Sequence, residues 1–210
     1  MSEYGDMTLD EYRDALASDS PTPGGGSAAA VSLSQAAALA TMVCNLTEGR
    51  EKWKDGWPAA EKTRSVAAPL LELGHSLASR DALAFDRVMF AYRMPKTTDE
   101  ETAIRSEAIT DATILAYTVP METAHAAFIL LQSLLELAQN GNANAITDVG
   151  VAALLASAAC KGGLFNAEIN LQSLDSTEFE QSYIDMKALR KRCSEVSREI
   201  MKAVHSRMLS

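Results

Sequence analysis

The chain has 210 residues, of which 47% are hydrophobic and 22% charged, so it holds enough apolar material for one large domain and too much for disorder. Its 19 Lys and Arg stand against 28 Asp and Glu, a net charge of -9. That balance excludes a general nucleic-acid binder or a polybasic membrane-surface protein, and leaves an anionic small molecule only through a local cluster of cations.

Ala-rich segments at helical spacing dominate and β-branched alternation is scarce, which predicts an all-α chain. Thr8-x-x-Glu11 is a capping box opening the first helix, with Leu9, Tyr12 and Leu16 on one face. That helix ends at Ser20-Pro21-Thr22-Pro23, since proline disfavours helical geometry in its predecessor. Gly24-Gly25-Gly26 follows, and Ser27 is a good N-cap for a second helix over 28–47. This helix is small almost all round, lets neighbouring backbones approach closely, and is expected at the centre of the bundle.

Pro58 suits the first turn of a third helix running to about 92, with Pro69 expected to kink it and Gly74 to add to the bend. Thr98-x-x-Glu101 opens a helix that should reach Thr118, before a separate one over 120–139 ending at Asn140-Gly141. A small apolar helix is expected over 147–165, capped by Thr147 or Asp148 and followed by a polar break over 166–170. Thr177-x-x-Glu180 is a third capping box, leading into an amphipathic last helix. No linker, repeat or low-complexity stretch divides residues 1–210, so the expected architecture is one all-α helical bundle of about six to eight helices around a central Ala-rich helix.

Cys44, Cys160 and Cys193 stand far apart without C-x-x-C spacing, which excludes a disulfide framework or a zinc ribbon and suits a reducing compartment. His75, His125 and His205 lack ligand spacing, so no metal is expected, and no Ser-His-Asp context is visible. The N-terminus carries Glu3 and Asp6 without an apolar core, and residues 21–47, though uncharged and long enough to span a bilayer, hold few large apolar side chains. A cytoplasmic protein with no membrane partner is the expectation. The Ala-rich second helix and the Leu-rich stretch over 128–137 exceed what a monomer comfortably covers, which predicts a homodimer.

Pro23, Gly24, Gly25, Gly26 and Ser27, leading into a helix, either form a tight turn for close packing or line up N–H groups for a carboxylate or polar ring edge. No lysine follows at the spacing a nucleotide triphosphate requires. Asp81 shares a stripe with Phe85 and Val88, and a carboxylate there is either a hydrogen-bonded buried group or an acid–base residue. Lys96 beside Pro95 can present a cation from a loop. Asn142, Asn144 and Asp148 before one helix, and Asn166 and Asn170 beyond it, are either capping groups or donors and acceptors for a ligand.

Taken in order, Pro21 to Ala29, Met42-Val43-Cys44-Asn45-Leu46-Thr47, Asp81-Ala82-Leu83-Ala84-Phe85, Tyr92-Arg93-Met94-Pro95-Lys96, Gly141-Asn142-Ala143-Asn144-Ala145-Ile146-Thr147-Asp148 and Asn166-Ala167-Glu168-Ile169-Asn170-Leu171 resemble the cyclodeaminase/cyclohydrolase family of folate enzymes. The resemblance covers nearly the whole chain. It implies a helical, dimeric fold acting on a tetrahydrofolate that carries a one-carbon unit between N5 and N10, with no cofactor besides the folate. Asp81 would be its catalytic aspartate and Lys96 would orient Asp81, the water or a pterin carbonyl. The glycine turn, Asn142 and Asp148 would line the folate cleft. Leu83 departs from the glutamate that relatives often carry, and Thr147 replaces a more usual serine.

The implied reaction is hydrolysis of 5,10-methenyltetrahydrofolate to 10-formyltetrahydrofolate, with formiminotetrahydrofolate cyclodeamination as the alternative and non-catalytic folate binding as a third. The substrate is mono- or polyglutamylated, and Arg50 with Lys52 and Lys54 forms a basic loop expected to meet its tail carboxylates.

Overall fold

The computed structural model describes residues 4–174 and 179–209, and among them it is all-α. Six α-helices follow in order: α1 (Leu9–Leu16), α2 (Gly25–Thr47), α3 (Trp57–Arg93), α4 (Asp99–Asn140), α5 (Ile146–Leu171) and α6 (Glu180–Met208), with short 3₁₀ turns at Tyr4–Asp6, Glu51–Gly56 and Ala143–Ala145. The Thr8 and Thr98 capping boxes are both made, each hydroxyl accepting from the N–H of the glutamate three residues on at 3.2 Å. Thr177, the start of the third expected box, lies outside the described residues.

The Ala-rich α2 is central: it packs chiefly on α3 and α5, and Ala30, Leu33, Ala36, Ala37, Ala40, Val43 and Cys44 are fully buried. Glycines bring the backbones together. A Cβ on Gly74 of α3 would stand 2.8 Å from the Ala30 carbonyl of α2, and one on Gly163 of α5 would stand 2.6 Å from the Pro120 carbonyl of α4. Gly74 therefore serves a close helix crossing, a stronger reason for glycine there than a bend.

Three boundaries differ from expectation, the first two for a tertiary reason. α2 starts at Gly25 with Gly24 as N-cap, so Ser27 lies inside the first turn rather than capping it. Its hydroxyl is drawn across to α3 instead. α4 runs unbroken through Pro120, although proline removes one ladder bond and strips the Ala116 carbonyl of its partner. The Asn170 side-chain amide supplies the missing donor at 2.8 Å.

α5 likewise continues through Asn166 and Asn170, whose amides turn back onto the carbonyls four residues before them, Gly162 and Asn166, at 2.8 Å each. Its N-cap is Ala145 without a side-chain bond, so neither Thr147 nor Asp148 caps it.

The Leu-rich stretch of α4 is covered by the chain itself, with Leu130, Leu131, Leu134 and Leu137 fully buried, so it gives no ground for a dimer. α2, α4 and the 143–171 segment are each long and apolar enough to cross a membrane by length and composition, and 56–61% of each apolar window is packed inside the bundle.

Candidate active site

Several of the candidate side chains gather where the N-terminus of α2 meets the middle of α3. Asp81, on α3, lies against the first turn of α2. The Ser27 hydroxyl lies 3.2 Å from Asp81 Oδ2 and 3.0 Å from the Ala78 carbonyl, and the Ser27 N–H also donates to the carboxylate. A Cβ on Gly26 would overlap the Asp81 carboxylate, so only glycine admits this approach. The first turn of a helix carries unpaired N–H groups and a positive partial charge. The carboxylate that the glycine turn favours is thus the protein's own.

Burial pushes the Asp81 pKa up, and the Ser27 hydroxyl and N–H hold it back without cancelling the rise. Gly26 and Ser27 of α2 press directly on the carboxylate. Phe85, which shares the Asp81 stripe one turn along α3, is itself 37% exposed. Asn166 closes the α5 side, its Nδ2 standing 3.6 Å from where a Gly25 Cβ would be. Asn170, one turn further, ties the same region to α4 through Ala116. Pro23 is buried beneath the turn, after a cis Thr22–Pro23 bond.

Of the residues singled out in the sequence, Asp81, the turn from Pro23 to Ser27, Asn166 and Asn170 therefore belong to one neighbourhood. The others do not join them within one chain. Arg50 lies beyond the other end of α2, a helix about 33 Å long at about 1.5 Å per residue.

Asn142 is at that far end too. It is buried, donates its side-chain amide to the Leu46 carbonyl at 2.8 Å and its N–H to Thr47 Oγ1 at 3.1 Å, and accepts from the Asn144 N–H at 2.9 Å. These bonds make it a clasp between α2 and the start of α5. Asn144 is exposed and Asp148 half-buried beside it. In the basic loop, Lys54 pairs with Glu51 at 2.9 Å and the Lys52 ammonium sits 4.7 Å over the Trp53 ring.

Lys96 is exposed in the α3–α4 connection. From Asp81 to the end of α3 at Arg93 the helix rises about 18 Å. Lys96 thus does not orient the Asp81 of its own chain.

Sequence reasoning passed over Tyr4 and Tyr12, which lie on the α3 side of the site and feel the Asp81 charge. The signal was a tyrosine, not a phenylalanine, on the apolar face of α1. Grooves of about 710 Å³ and 660 Å³ run between α3 and α4, but neither is lined by Asp81 or the glycine turn.

This arrangement offers one carboxyl with a raised pKa at a helix N-terminus, with the Asn166 side chain beside the glycine turn. Residues 8–204 match the formiminotransferase-cyclodeaminase family model, and the chain belongs to that family. It is 35% identical to methenyltetrahydrofolate cyclohydrolase of Methylorubrum extorquens over 97% of this chain and 99% of that protein.

It is 32% identical to rat formimidoyltransferase-cyclodeaminase over 84% of this chain, spanning 32% of that longer protein. The fold is similar to that of formiminotetrahydrofolate cyclodeaminase from Thermotoga maritima, with a TM-score of 0.84, 27% identity, and 96% and 98% of the two chains covered.

Proposed function

We propose that this chain is a folate one-carbon enzyme that hydrolyses 5,10-methenyltetrahydrofolate to 10-formyltetrahydrofolate, with Asp81 as the acid–base group. The observation that carries the reading is the Asp81 carboxylate, raised in pKa and held against Gly26 and Ser27. The end-to-end match with a named cyclohydrolase supports this reaction over the alternative.

Water attacks the positively charged methenyl carbon while Asp81 takes one of its protons. The tetrahedral carbon then collapses, the C–N5 bond breaks, and Asp81 gives its proton to N5. The remaining hydroxyl proton leaves to solvent as the formyl C=O forms on N10. Such acid–base assistance contributes about 10²–10⁴-fold in rate.

The second reading is cyclodeamination, favoured by the fold neighbour's activity. There N10 attacks the formimino carbon on N5 and ammonia departs. The near-ultraviolet band of the methenyl bridge separates the two. Loss of the band from 5,10-methenyltetrahydrofolate, abolished in Asp81→Asn, supports the hydrolase. Appearance of the band with ammonia from 5-formiminotetrahydrofolate supports the cyclodeaminase, and no change with either overturns both.

The working form in this proposal is a homodimer. α5 leaves Val151, Leu154, Phe165 and Ile169 between 47% and 63% exposed at helical spacing, the kind of stripe a second helix layer covers. A partner subunit is also the route by which Lys96 would reach an Asp81 site. Mixing Asp81→Asn with Lys96→Ala protein tests this: partial recovery of activity from two inactive parents supports shared sites, and none argues against them.

A further inference from the structure

The Tyr12 hydroxyl is buried and, among the described residues, has no hydrogen-bond partner. A phenol in such a position loses water without compensation, and phenylalanine would fill the same space at lower cost. Its placement is not accidental to the site. The Tyr4 N–H donates to Ser79 Oγ at 3.2 Å, two residues before Asp81, and the Tyr12 ring stands edge-on to Tyr4 with centroids 6.0 Å apart. Tyr12 is therefore carried to the stretch of α3 that bears Asp81 by Tyr4.

Nothing else on α1 explains the docking. No residue of that helix is fully buried, and Leu9, on the same face, is 82% exposed. The short helix is a thinly held cover whose inward group is the Tyr12 ring and its hydroxyl.

We propose that Tyr12 is a substrate-contacting residue whose hydroxyl donates a hydrogen bond to the oxygen that becomes the formyl oxygen, beside Asp81; this rests on the folate reading above. When the remaining hydroxyl proton leaves and the C–N5 bond breaks, negative charge builds on that oxygen before the formyl C=O is complete, and a fixed donor there stabilises it more than it stabilises the substrate. Burial and the nearby Tyr4 and Asp81 push the Tyr12 pKa up to about 12, which keeps the phenol protonated and able to donate.

The test compares wild type with Tyr12→Phe, which keeps the ring and its packing on Tyr4. Three quantities are read: kcat and KM for 5,10-methenyltetrahydrofolate, and Kd for 5-formyltetrahydrofolate, which bears an oxygen on its one-carbon unit, against Kd for unsubstituted tetrahydrofolate, which does not. The expected result is a fall in kcat of at least tenfold, toward the roughly 10²–10³-fold loss seen when one such donor is removed. KM should change little, 5-formyltetrahydrofolate should bind about fivefold or more weakly, and tetrahydrofolate should bind unchanged.

Unaltered kcat and unaltered Kd values in an active wild type would overturn the role of Tyr12 and leave the proposed reaction standing. A wild type that turns over neither folate, yet loses 5-formyltetrahydrofolate affinity selectively in Tyr12→Phe, would overturn the reaction and support Tyr12 as a ligand contact. Equal weakening for both folates would show that Tyr12 only shapes the cleft, and would overturn the proposal. A wild type that binds neither folate would overturn both readings.

Discussion

The Asn170 side-chain amide donates at 2.8 Å to the Ala116 carbonyl, the group that Pro120 leaves without its helical partner. A residue near the Asp81 site thereby repairs a defect in α4, and the two helices are fixed together at the level where α5 meets the glycine turn. Asn170→Ala should destabilise the protein by about 1–3 kcal/mol through the unpaired carbonyl. In a Pro120→Ala background the new backbone N–H can serve Ala116, so the same change should cost clearly less. A double-mutant cycle by urea unfolding measures the coupling, and strict additivity would refute the repair.

Gly26→Ala separates packing from propensity. Alanine inside a helix is favoured over glycine by about 1 kcal/mol, so an unconstrained position would gain stability. Here the added methyl meets the Asp81 carboxylate, which has to move. Turnover should fall about tenfold or more, with melting temperature unchanged or lower. A stabilised variant of full activity would mean that the approach of α2 to Asp81 is not needed.

Asp81 has a raised pKa, which fixes the sign of two pH effects. Between its ordinary value of 3.8 and its folded value the native state binds more protons than the unfolded chain. The favourable contribution is therefore fully present below the unfolded pKa and is lost as pH rises through the folded one. Wild-type stability should decline relative to Asp81→Asn across that window, as followed by denaturant midpoints on both proteins. As the base, Asp81 must be ionised, so kcat/KM should fall on acidification with an apparent pKa above 3.8. An identical acidic limb in Asp81→Asn would assign that limb to another group.

At the other end of α4, Arg207 donates from Nη1 to the Ala138 carbonyl at 3.0 Å and from Nη2 to the Gly141 carbonyl at 2.8 Å. The final helix thus closes the C-terminus of α4 with a guanidinium, which the helix dipole also favours. Arg207→Met should cost about 1–3 kcal/mol, seen as a lower urea midpoint at constant slope. Exposed Lys187→Met on the same helix should stay within about 0.5 kcal/mol.

Local chemistry was legible in the chain. The two capping boxes at Thr8 and Thr98 need only residues within one turn, and the small side chains of α2 announce close packing whatever packs there. Two of the misread boundaries depend on partners far away in sequence. Pro120 looked like a helix end because its compensation, Asn170, sits on another helix, and Ser27 looked like a cap because its acceptors are on α3.

The site divided in the same way. Asp81, Ser27 and the glycines were recognisable as candidates, and their mutual contact was not. Asn142 resembled a cleft residue by type, but its bonds to Leu46 and Thr47 spend it on holding the far end of α2. Tyr12 carried no motif at all, and only its buried hydroxyl distinguishes it.

Ser27 has one hydroxyl hydrogen and two acceptors within reach, the Ala78 carbonyl and Asp81 Oδ2. When Asp81 is ionised the hydrogen can face the carboxylate; when Asp81 is protonated it can swing to Ala78 and leave the serine oxygen to receive the acid's own proton. Loading and unloading the carboxyl then requires rotation about a single C–O bond, with every heavy atom staying where the α2–α3 contact put it. In the proposed cycle, where Asp81 exchanges its proton twice, the carboxyl would in this way be decoupled from the rigid crossing that holds it.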